Sequence, residues 1–152
     1  MNAEKYETIQ DHPANRNGLE RMKRMNIHKS AEDYLEMILM LREQKGYTRS
    51  IDIASALGVT KPSVSFAMKR LRENGYILMD ENNYINLTEK GMEIARRIYD
   101  RHKALTRFLL QLGVDESTAR EDACKIEHDI SDVTYRAVLN QLPEEAAPDE
   151  AR

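Results

Sequence analysis

The chain has 152 residues, a single cysteine and a formal net charge of −3. This length allows one domain or two small domains that share a core. One cysteine cannot form an internal disulfide, which fits a protein of the reducing cytoplasm, and we expect that location. The sequence shows no apolar run long enough to cross a membrane and no secretory signal, so we expect no membrane association.

The charge is unevenly distributed, and the distribution suggests a partner. Residues 21–75 contain 11 Lys/Arg and 6 Asp/Glu, a net charge of +5, while residues 76–152 have a net charge of −6 and residues 1–20 of −2. A basic module joined to an acidic one is typical of a DNA-binding unit fused to a sensor or dimerisation unit. A Gly-rich phosphate loop, an HExxH motif and a nucleophile elbow are all missing, so we expect no enzyme.

The beginning of the chain contains few large apolar residues. Pro13 and Gly18 interrupt it, and we predict a flexible N-terminal arm over residues 1–24. Ser30 is the predicted N-cap of the first helix, with Asp33 at the capping-box position. That helix should run from Ala31 to about Gln44, end at Gly46, and bury one apolar face, formed by Tyr34, Leu35, Ile38 and Leu41.

The segment from Thr48 to Gly75 predicts two short helices joined by a tight turn. Gly58 suits the left-handed cap of the first helix, and Thr60 supplies an N-cap oxygen for the second. The first helix should bury Ile51, Ile53, Ala54 and Leu57, and the second should bury Val64, Ala67, Met68 and Leu71. Small polar and basic residues at the start of the second helix favour a helix-turn-helix over an ordinary helical hairpin.

Two β-prone runs follow the second helix directly. They span residues 76–79 and 84–87, and a polar turn with Asn82 and Asn83 separates them. Because Asn tolerates positive φ, we predict a β-hairpin. A hairpin in this position is the wing of a winged helix.

The second half is predicted to be helical throughout. Thr88 begins a long helix that ends at Gly113 and carries His102. A last helix runs from Ser131 to Leu142, and an acidic tail follows over residues 143–152. Between them, Asp115 caps a helix on which Cys124, Glu127 and His128 share one face at i, i+3 and i+4. A thiol, a carboxylate and an imidazole on one face form half of a metal site, although Glu-His pairs also occur by chance. Taken alone, His102 would more commonly not be a ligand, and Asp33 would more simply be a helix cap.

These segments together resemble a known family. The order SAEDYLEMILML, helix-turn-helix, wing, YDRHKALTRFLLQLGV and CKIEH is similar to the diphtheria-toxin-repressor family of metal-dependent regulators, and most similar to its short, manganese-responsive branch. The resemblance covers roughly residues 25–142. It implies a mainly α fold, in which a winged helix-turn-helix domain of three helices and a β-hairpin wing (25–88) precedes an all-helical metal-binding and dimerisation domain (89–142).

The resemblance also implies a set of metal ligands, namely Asp33, Glu36, His102, Cys124, Glu127 and His128. The short branch has a carboxylate where this chain has Cys124, and the iron-responsive members have a Cys there but a Met in place of Asp33. Carboxylates and imidazoles suit Mn²⁺ or Fe²⁺, whereas a thiolate favours Fe²⁺, Co²⁺ or Zn²⁺. We expect Mn²⁺ first and Fe²⁺ second, and Cys124 could bind through sulfur or through its carbonyl, with one or two metals per subunit.

The implied function is repression of metal-homeostasis genes by a homodimer that binds operator DNA when a divalent cation links the two modules. Crowded carboxylates should leave these modules loosely coupled without the cation. The expected DNA-binding residues are Thr60, Lys61, Pro62, Ser63, Ser65, Phe66, Lys69 and Arg70. Thr60, Pro62 and Phe66 should face bases, with Phe66 on thymine methyl groups unless it packs under the wing, and Ser63, Ser65, Lys69 and Arg70 should face phosphates. The alternative functions are a metal-independent winged-helix regulator and, least expected, a metalloenzyme.

Overall fold

A computed structural model of the chain describes the backbone of residues 13–144 and the side chains of residues 29–144. In this part of the chain six helices and one hairpin follow one another: α1 (Pro13–Lys45), α2 (Ser50–Leu57), α3 (Lys61–Glu73), β1 (Ile77–Met79), β2 (Ile85–Leu87), α4 (Glu89–Gln111), α5 (Glu116–Ile126) and α6 (Asp132–Gln141). No helix within these residues is both long enough and apolar enough to span a bilayer.

Helix α1 begins much earlier than the sequence predicts. It starts at Pro13 and runs without interruption to Lys45, so the predicted helix start at Ala31 and the predicted N-cap at Ser30 are wrong. Pro is well accommodated in the first turn of a helix, and one interior Gly costs only about 1 kcal/mol, so neither Pro13 nor Gly18 had to break the helix. Of the predicted flexible arm, residues 13–24 are helical, and residues 1–12 lie outside the described part.

The predicted helix-turn-helix and its capping signals are confirmed. Gly58 ends α2 at φ 64°, and Thr60 Oγ1 caps α3 by accepting the N–H of Ser63. Ile53 and Val64 are fully buried, as predicted, whereas Ile51 is 56% exposed, so its predicted place on the buried face is wrong. An eight-residue helix packs only a narrow apolar stripe, and Ile51 lies outside it.

The wing is a short antiparallel hairpin. Ile77 pairs with Leu87 and Met79 pairs with Ile85, and Asn83 in the connecting turn adopts a φ of 61°, as the Asn-containing turn predicts. The Ile85 N–H also donates to the carbonyl of Thr48, 2.8 Å away, which joins the hairpin to the segment before α2. The buried Thr48 hydroxyl donates in turn to the carbonyl of Ile38 on α1.

Two groups of buried side chains are packed along α4. The first joins α1, α2, α3 and the hairpin through residues such as Leu35, Ile38, Ile53, Val64, Ile77 and Ile85, and α4 contributes Ala95 to it. The second contains Leu105 of α4, Ala123 of α5 and Val138 of α6. One helix therefore supports both the winged-helix part and the C-terminal helices, and His102 lies on α4 between Ala95 and Leu105.

Candidate metal centre and DNA-binding face

The centre of the candidate site is Glu127, in the turn that follows α5. Its side chain is fully buried, and its two oxygens face different histidines: Oε2 lies 2.9 Å from Nδ1 of His102, and Oε1 lies 3.3 Å from Nε2 of His128. The latter nitrogen is also 2.7 Å from Oδ1 of Asp33 on α1. The sulfur of Cys124 lies 3.5 Å from Nδ1 of His102.

All six predicted metal ligands therefore meet in one region. His102, Cys124 and Glu127 form one group, and Asp33, Glu127 and His128 form another; within each group the candidate ligand atoms lie within 4.8 Å of one another. Glu36 is 5% exposed and contacts the site through Glu127. Asp33 does not belong to a capping box, because α1 continues through it, and its carboxylate is directed to His128 instead.

The turn after α5 is held by a buried arginine that the sequence did not single out. Helix α5 ends at Ile126, one residue before the predicted ligand pair, and Glu127 retains helical dihedrals. Arg101 of α4 donates to the carbonyls of Glu127 at 3.3 Å and Ile130 at 2.8 Å, and it also pairs with Asp132. These contacts fix the backbone from which Glu127 and His128 project.

Several atoms at the site are buried without a hydrogen-bond partner. Among the described side chains these atoms are Oε1 of Glu36, Oε1 of Glu127, Nε2 of His128 and, away from the site, Nε of Arg101. Nε2 of His128 is close to two carboxylates, but neither contact has hydrogen-bond geometry. Buried polar atoms are normally satisfied. Two carboxylate oxygens and one imidazole nitrogen left without partners in one place are the atom types that bind a divalent cation once they are deprotonated.

The site also shifts the proton affinity of its groups. Burial, together with the hydrogen bond to Glu127 and the charge of that residue, raises the pKa of Glu36 to about 8. Contacts with Cys124 and Glu127 raise the pKa of His102 to about 10. Burial disfavours the charged form of His128, but the surrounding carboxylates outweigh it and raise the pKa to about 11. Burial opposes ionisation of Glu127 as well, yet its contacts with His102, His128 and Glu36 leave its pKa lowered.

Protons and imidazoles thus offset much of the negative charge. The expected repulsion among crowded carboxylates is reduced, because histidines alternate with carboxylates and Glu36 holds a proton at neutral pH. A divalent cation would have to displace these protons to bind.

The predicted DNA-binding residues lie at the N-cap of α3 and along its exposed side. Thr60, Lys61, Pro62, Ser63, Ser65, Phe66, Lys69 and Arg70 are all exposed. Phe66 is 64% exposed, and the guanidinium of Arg70 lies 5.7 Å from the centre of its ring. The alternative that Phe66 packs under the wing is therefore wrong. The hydroxyls of Thr60 and Ser63 are hydrogen-bonded to each other at 2.8 Å, and the Thr60 hydroxyl also caps the helix.

Comparisons with known proteins cover both halves of the chain. Residues 26–83 match the family model described as the iron dependent repressor N-terminal DNA binding domain, and residues 88–145 match the model of the iron dependent repressor metal binding and dimerisation domain. An uncharacterised helix-turn-helix-type transcriptional regulator of Methanocaldococcus jannaschii is 42% identical over 108 residues, which are 70% of this chain and 86% of that protein. The transcriptional regulator MntR of Bacillus subtilis is 42% identical over 102 residues, 67% of this chain and 72% of MntR.

Solved structures agree with these matches. The manganese regulator SloR superposes with a TM-score of 0.65 at 31% identity, and IdeR of T. acidophilum superposes with a TM-score of 0.65 at 28% identity. Each superposition covers 72% of this chain and 52% of the other, so the chain spans about half the length of these two structures.

Proposed function

Because the chain belongs to the iron-dependent repressor family, whose members are metal-dependent DNA-binding transcriptional regulators and not enzymes, we propose that Mn²⁺ is its corepressor, with Fe²⁺ as the second candidate. The relatives include proteins named as manganese regulators. In this proposal a cytoplasmic homodimer binds operator DNA and controls genes of metal homeostasis. The metal-independent alternative has no support among the relatives.

One observation carries the proposal: a fully buried glutamate, Glu127, lies between two histidines with one of its oxygens unpaired. An isolated buried carboxylate is costly, and burying it with unpaired partners would weaken the fold without benefit. A site that holds a cation accounts for this arrangement, because the same lone pairs then become ligands.

The proposed ligands are Asp33, Glu36, His102, Glu127 and His128, with Cys124 at the exposed edge. Three carboxylates and two imidazoles form a predominantly hard donor set, which suits Mn²⁺ and Fe²⁺. The thiol of Cys124 is the one soft donor. If it coordinates, it moves the preference toward Fe²⁺, Co²⁺ or Zn²⁺; if only its carbonyl coordinates, the site stays hard.

The ligands come from both halves of the molecule, which explains how binding could reach the DNA. Asp33 and Glu36 lie on α1, which packs against the helix-turn-helix, and His102, Glu127 and His128 lie on α4 and after α5. A bound cation would supply the positive charge that keeps these groups together once Glu36 and the two histidines have lost their protons. The ligands then hold α1 at a fixed position relative to the C-terminal helices.

In a homodimer this constraint sets the distance between two recognition helices. Helices that enter successive major grooves must lie about 34 Å apart, one turn of DNA. The cation can shift the population toward this spacing only by as much as it binds that state more tightly. The exposed side chains proposed to meet the DNA lie at the N-cap of α3 and along the helix, and they are Thr60, Lys61, Pro62, Ser63, Ser65, Phe66, Lys69 and Arg70.

A metal titration of protein isolated without oxygen tests the proposal. Calorimetry should detect binding of Mn²⁺ and Fe²⁺ to the wild-type chain, and Glu127→Gln should remove it, since the central ligand loses its charge. Glu121→Gln, an exposed change on α5, the helix that precedes Glu127, is the matched control and should bind as the wild type does. Cys124→Ser should change the order of metal preference if sulfur coordinates. No heat of binding from either ion in the wild type would overturn the proposal.

A further inference from the structure

Glu32 contacts the site without being one of its ligands. Its Oε2 lies 2.8 Å from Nδ1 of His128, and its Oε1 lies 3.0 Å from Nη2 of Arg97 on α4. The side chain of His128 is 2% exposed and that of Glu32 is 18% exposed, so the contact between them is largely shielded from water. Glu32 carries no signal in the sequence, because the ligand position implied by the family resemblance falls on its neighbour Asp33.

The two nitrogens of the His128 ring have different neighbours. Nδ1 faces Glu32, whereas Nε2 faces Asp33 and Glu127 and lacks a hydrogen bond. An imidazole that binds a cation through Nε2 keeps its single proton on Nδ1, and an acceptor at Nδ1 fixes both the tautomer and the orientation of the ring. The carboxylate of Glu32 is that acceptor.

Arg97 holds the acceptor in place. Both oxygens of Glu32 are engaged, one by His128 and one by Arg97, so Glu32 cannot join the ligand set without breaking one of these contacts. The contact chain His128–Glu32–Arg97 links the turn after α5 to α1 and α4. A residue placed in this way acts on the site through His128.

We propose that Glu32 is a positioning residue of the metal site, which orients His128 so that its Nε2 faces Asp33 and Glu127. The proposal rests on the proposed function, since it presumes that a cation binds at these residues. The competing explanation is that Glu32 serves only as an ion-pair partner of Arg97, tying α1 to α4. The two explanations differ in which partner of Glu32 matters to the site.

Three variants separate them. Glu32→Ala removes the acceptor from both partners, and Glu32→Gln keeps an amide oxygen that can accept from Nδ1 but carries no charge. Arg97→Gln is the matched control, because it removes the ion pair between α1 and α4 and leaves the Glu32–His128 contact. The measurements are Mn²⁺ affinity by calorimetry, the visible absorption spectrum of the Co²⁺-loaded protein, which reports the ligand geometry, and the melting temperature.

Removing the partner of a ligating histidine typically lowers metal affinity about 10- to 100-fold. Glu32→Ala should show a loss of about this size together with an altered Co²⁺ spectrum, Glu32→Gln a smaller loss, and Arg97→Gln the smallest. Wild-type affinity and spectrum in a folded Glu32→Ala protein would overturn the proposal, as would equal losses in Glu32→Ala and Arg97→Gln. A wild-type chain that binds neither Mn²⁺ nor Co²⁺ would instead overturn the proposed function, and this inference with it.

Discussion

At the scale of single residues, the candidate site is a set of groups whose protons compete with a metal. Glu36, with a pKa of about 8, and His102 and His128, with pKa values of about 10 and 11, all hold protons at pH 7. Ligands must be deprotonated to coordinate, so metal binding expels protons and grows stronger as the pH rises. The same groups link the pH to the stability of the metal-free fold.

We expect the affinity for Mn²⁺ to increase from pH 6 to pH 8 and binding at pH 7 to release more than one proton. Titrations in two buffers with different ionisation enthalpies measure the released protons directly. Glu127→Gln at the same pH values is the control, because it should show neither the binding nor the release. An affinity that stays constant over this range, without proton release, would contradict the assignment of these protonated groups as ligands.

The stability of the metal-free protein should depend on pH in the opposite direction. The pKa of Glu36 is raised from 4.5 to about 8, and those of His102 and His128 are raised from 6.5 to about 10 and about 11. Each group therefore contributes stability that is complete below its ordinary pKa and is lost as the pH rises through its raised pKa. The melting temperature should therefore fall between pH 6.5 and pH 8.5 in the presence of a chelator. Excess Mn²⁺ should reduce this fall. A melting temperature that rises from pH 6.5 to pH 8.5 in the presence of the chelator would contradict the raised pKa values.

Phe66 provides a second test at this scale. Because its ring is 64% exposed, Phe66→Ala should change the free energy of unfolding by less than about 1 kcal/mol. Binding to DNA should lose its preference for thymine, because the ring no longer contacts the thymine methyl groups. Thermal melting and binding to duplexes with thymine replaced by uracil, which lacks the methyl group, measure the two effects. Unfolding of the variant, or an unchanged preference for thymine over uracil, would remove Phe66 from the base contacts.

At the scale of elements, one close approach fixes α4 against the wing. A Cβ atom added at Gly91 would lie 2.0 Å from the backbone oxygen of Tyr76, which already accepts the N–H of Thr88 at 3.0 Å. The first turn of α4 and the start of the hairpin can therefore approach only because residue 91 has no side chain.

Gly91→Ala should destabilise the protein by about 1–3 kcal/mol, in spite of the better helix propensity of Ala, because the backbone must move to relieve the clash. Chemical denaturation measures the change. Glu93→Ala, an exposed change on the same helix, is the control and should be nearly neutral. A Gly91→Ala protein as stable as the wild type would show that α4 and the hairpin can separate without cost.

The elements also show what the sequence could and could not predict. Caps at Thr60, Thr88, Asp115 and Ser131 were predictable because each depends on a side chain that bonds to backbone three residues away. The start of α1 was not, since neither a proline in a first turn nor one glycine decides whether a helix continues. Gly91 carried no signal either, because its role depends on a neighbour, Tyr76, fifteen positions earlier in the chain.

The candidate site likewise contains residues that the sequence could predict and residues that it could not. The meeting of the six proposed ligand residues was predictable from their resemblance to family motifs and from the i, i+3, i+4 spacing of Cys124, Glu127 and His128. Glu32, Arg97 and Arg101 were not, since their roles arise from contacts between α1, α4 and the turn after α5. Residues that support a ligand are recognisable only when the elements have been brought together.

At the scale of the whole molecule, α1 carries part of the candidate metal site and packs against the helix-turn-helix. Glu32 and Arg97, which contact the site, also line a cavity of about 720 Å³ whose other wall includes Ser63, Phe66 and Arg70 of α3. A change in the position of α1 at the candidate site would therefore take place beside α3, the helix proposed to meet DNA. The exposed apolar residues Leu112, Val133 and Leu139 lie at the C-terminal helices, where the family's dimerisation domain is found.

The central claim is that occupancy of this site controls DNA binding, and operator binding by the wild type and by His128→Ala tests it most directly. A labelled duplex, selected by the Mn²⁺-loaded protein from random-sequence DNA, would be followed by fluorescence anisotropy with Mn²⁺ and with a chelator. We predict that Mn²⁺ strengthens binding by the wild type on the order of 5- to 150-fold, the usual range of coupling between sites. His128→Ala should remain a folded dimer that binds at the chelator level in both conditions. A wild-type protein that binds the duplex equally well with Mn²⁺ and with chelator would contradict this claim. A folded His128→Ala dimer whose binding Mn²⁺ strengthens as much as it does in the wild type would contradict it as well.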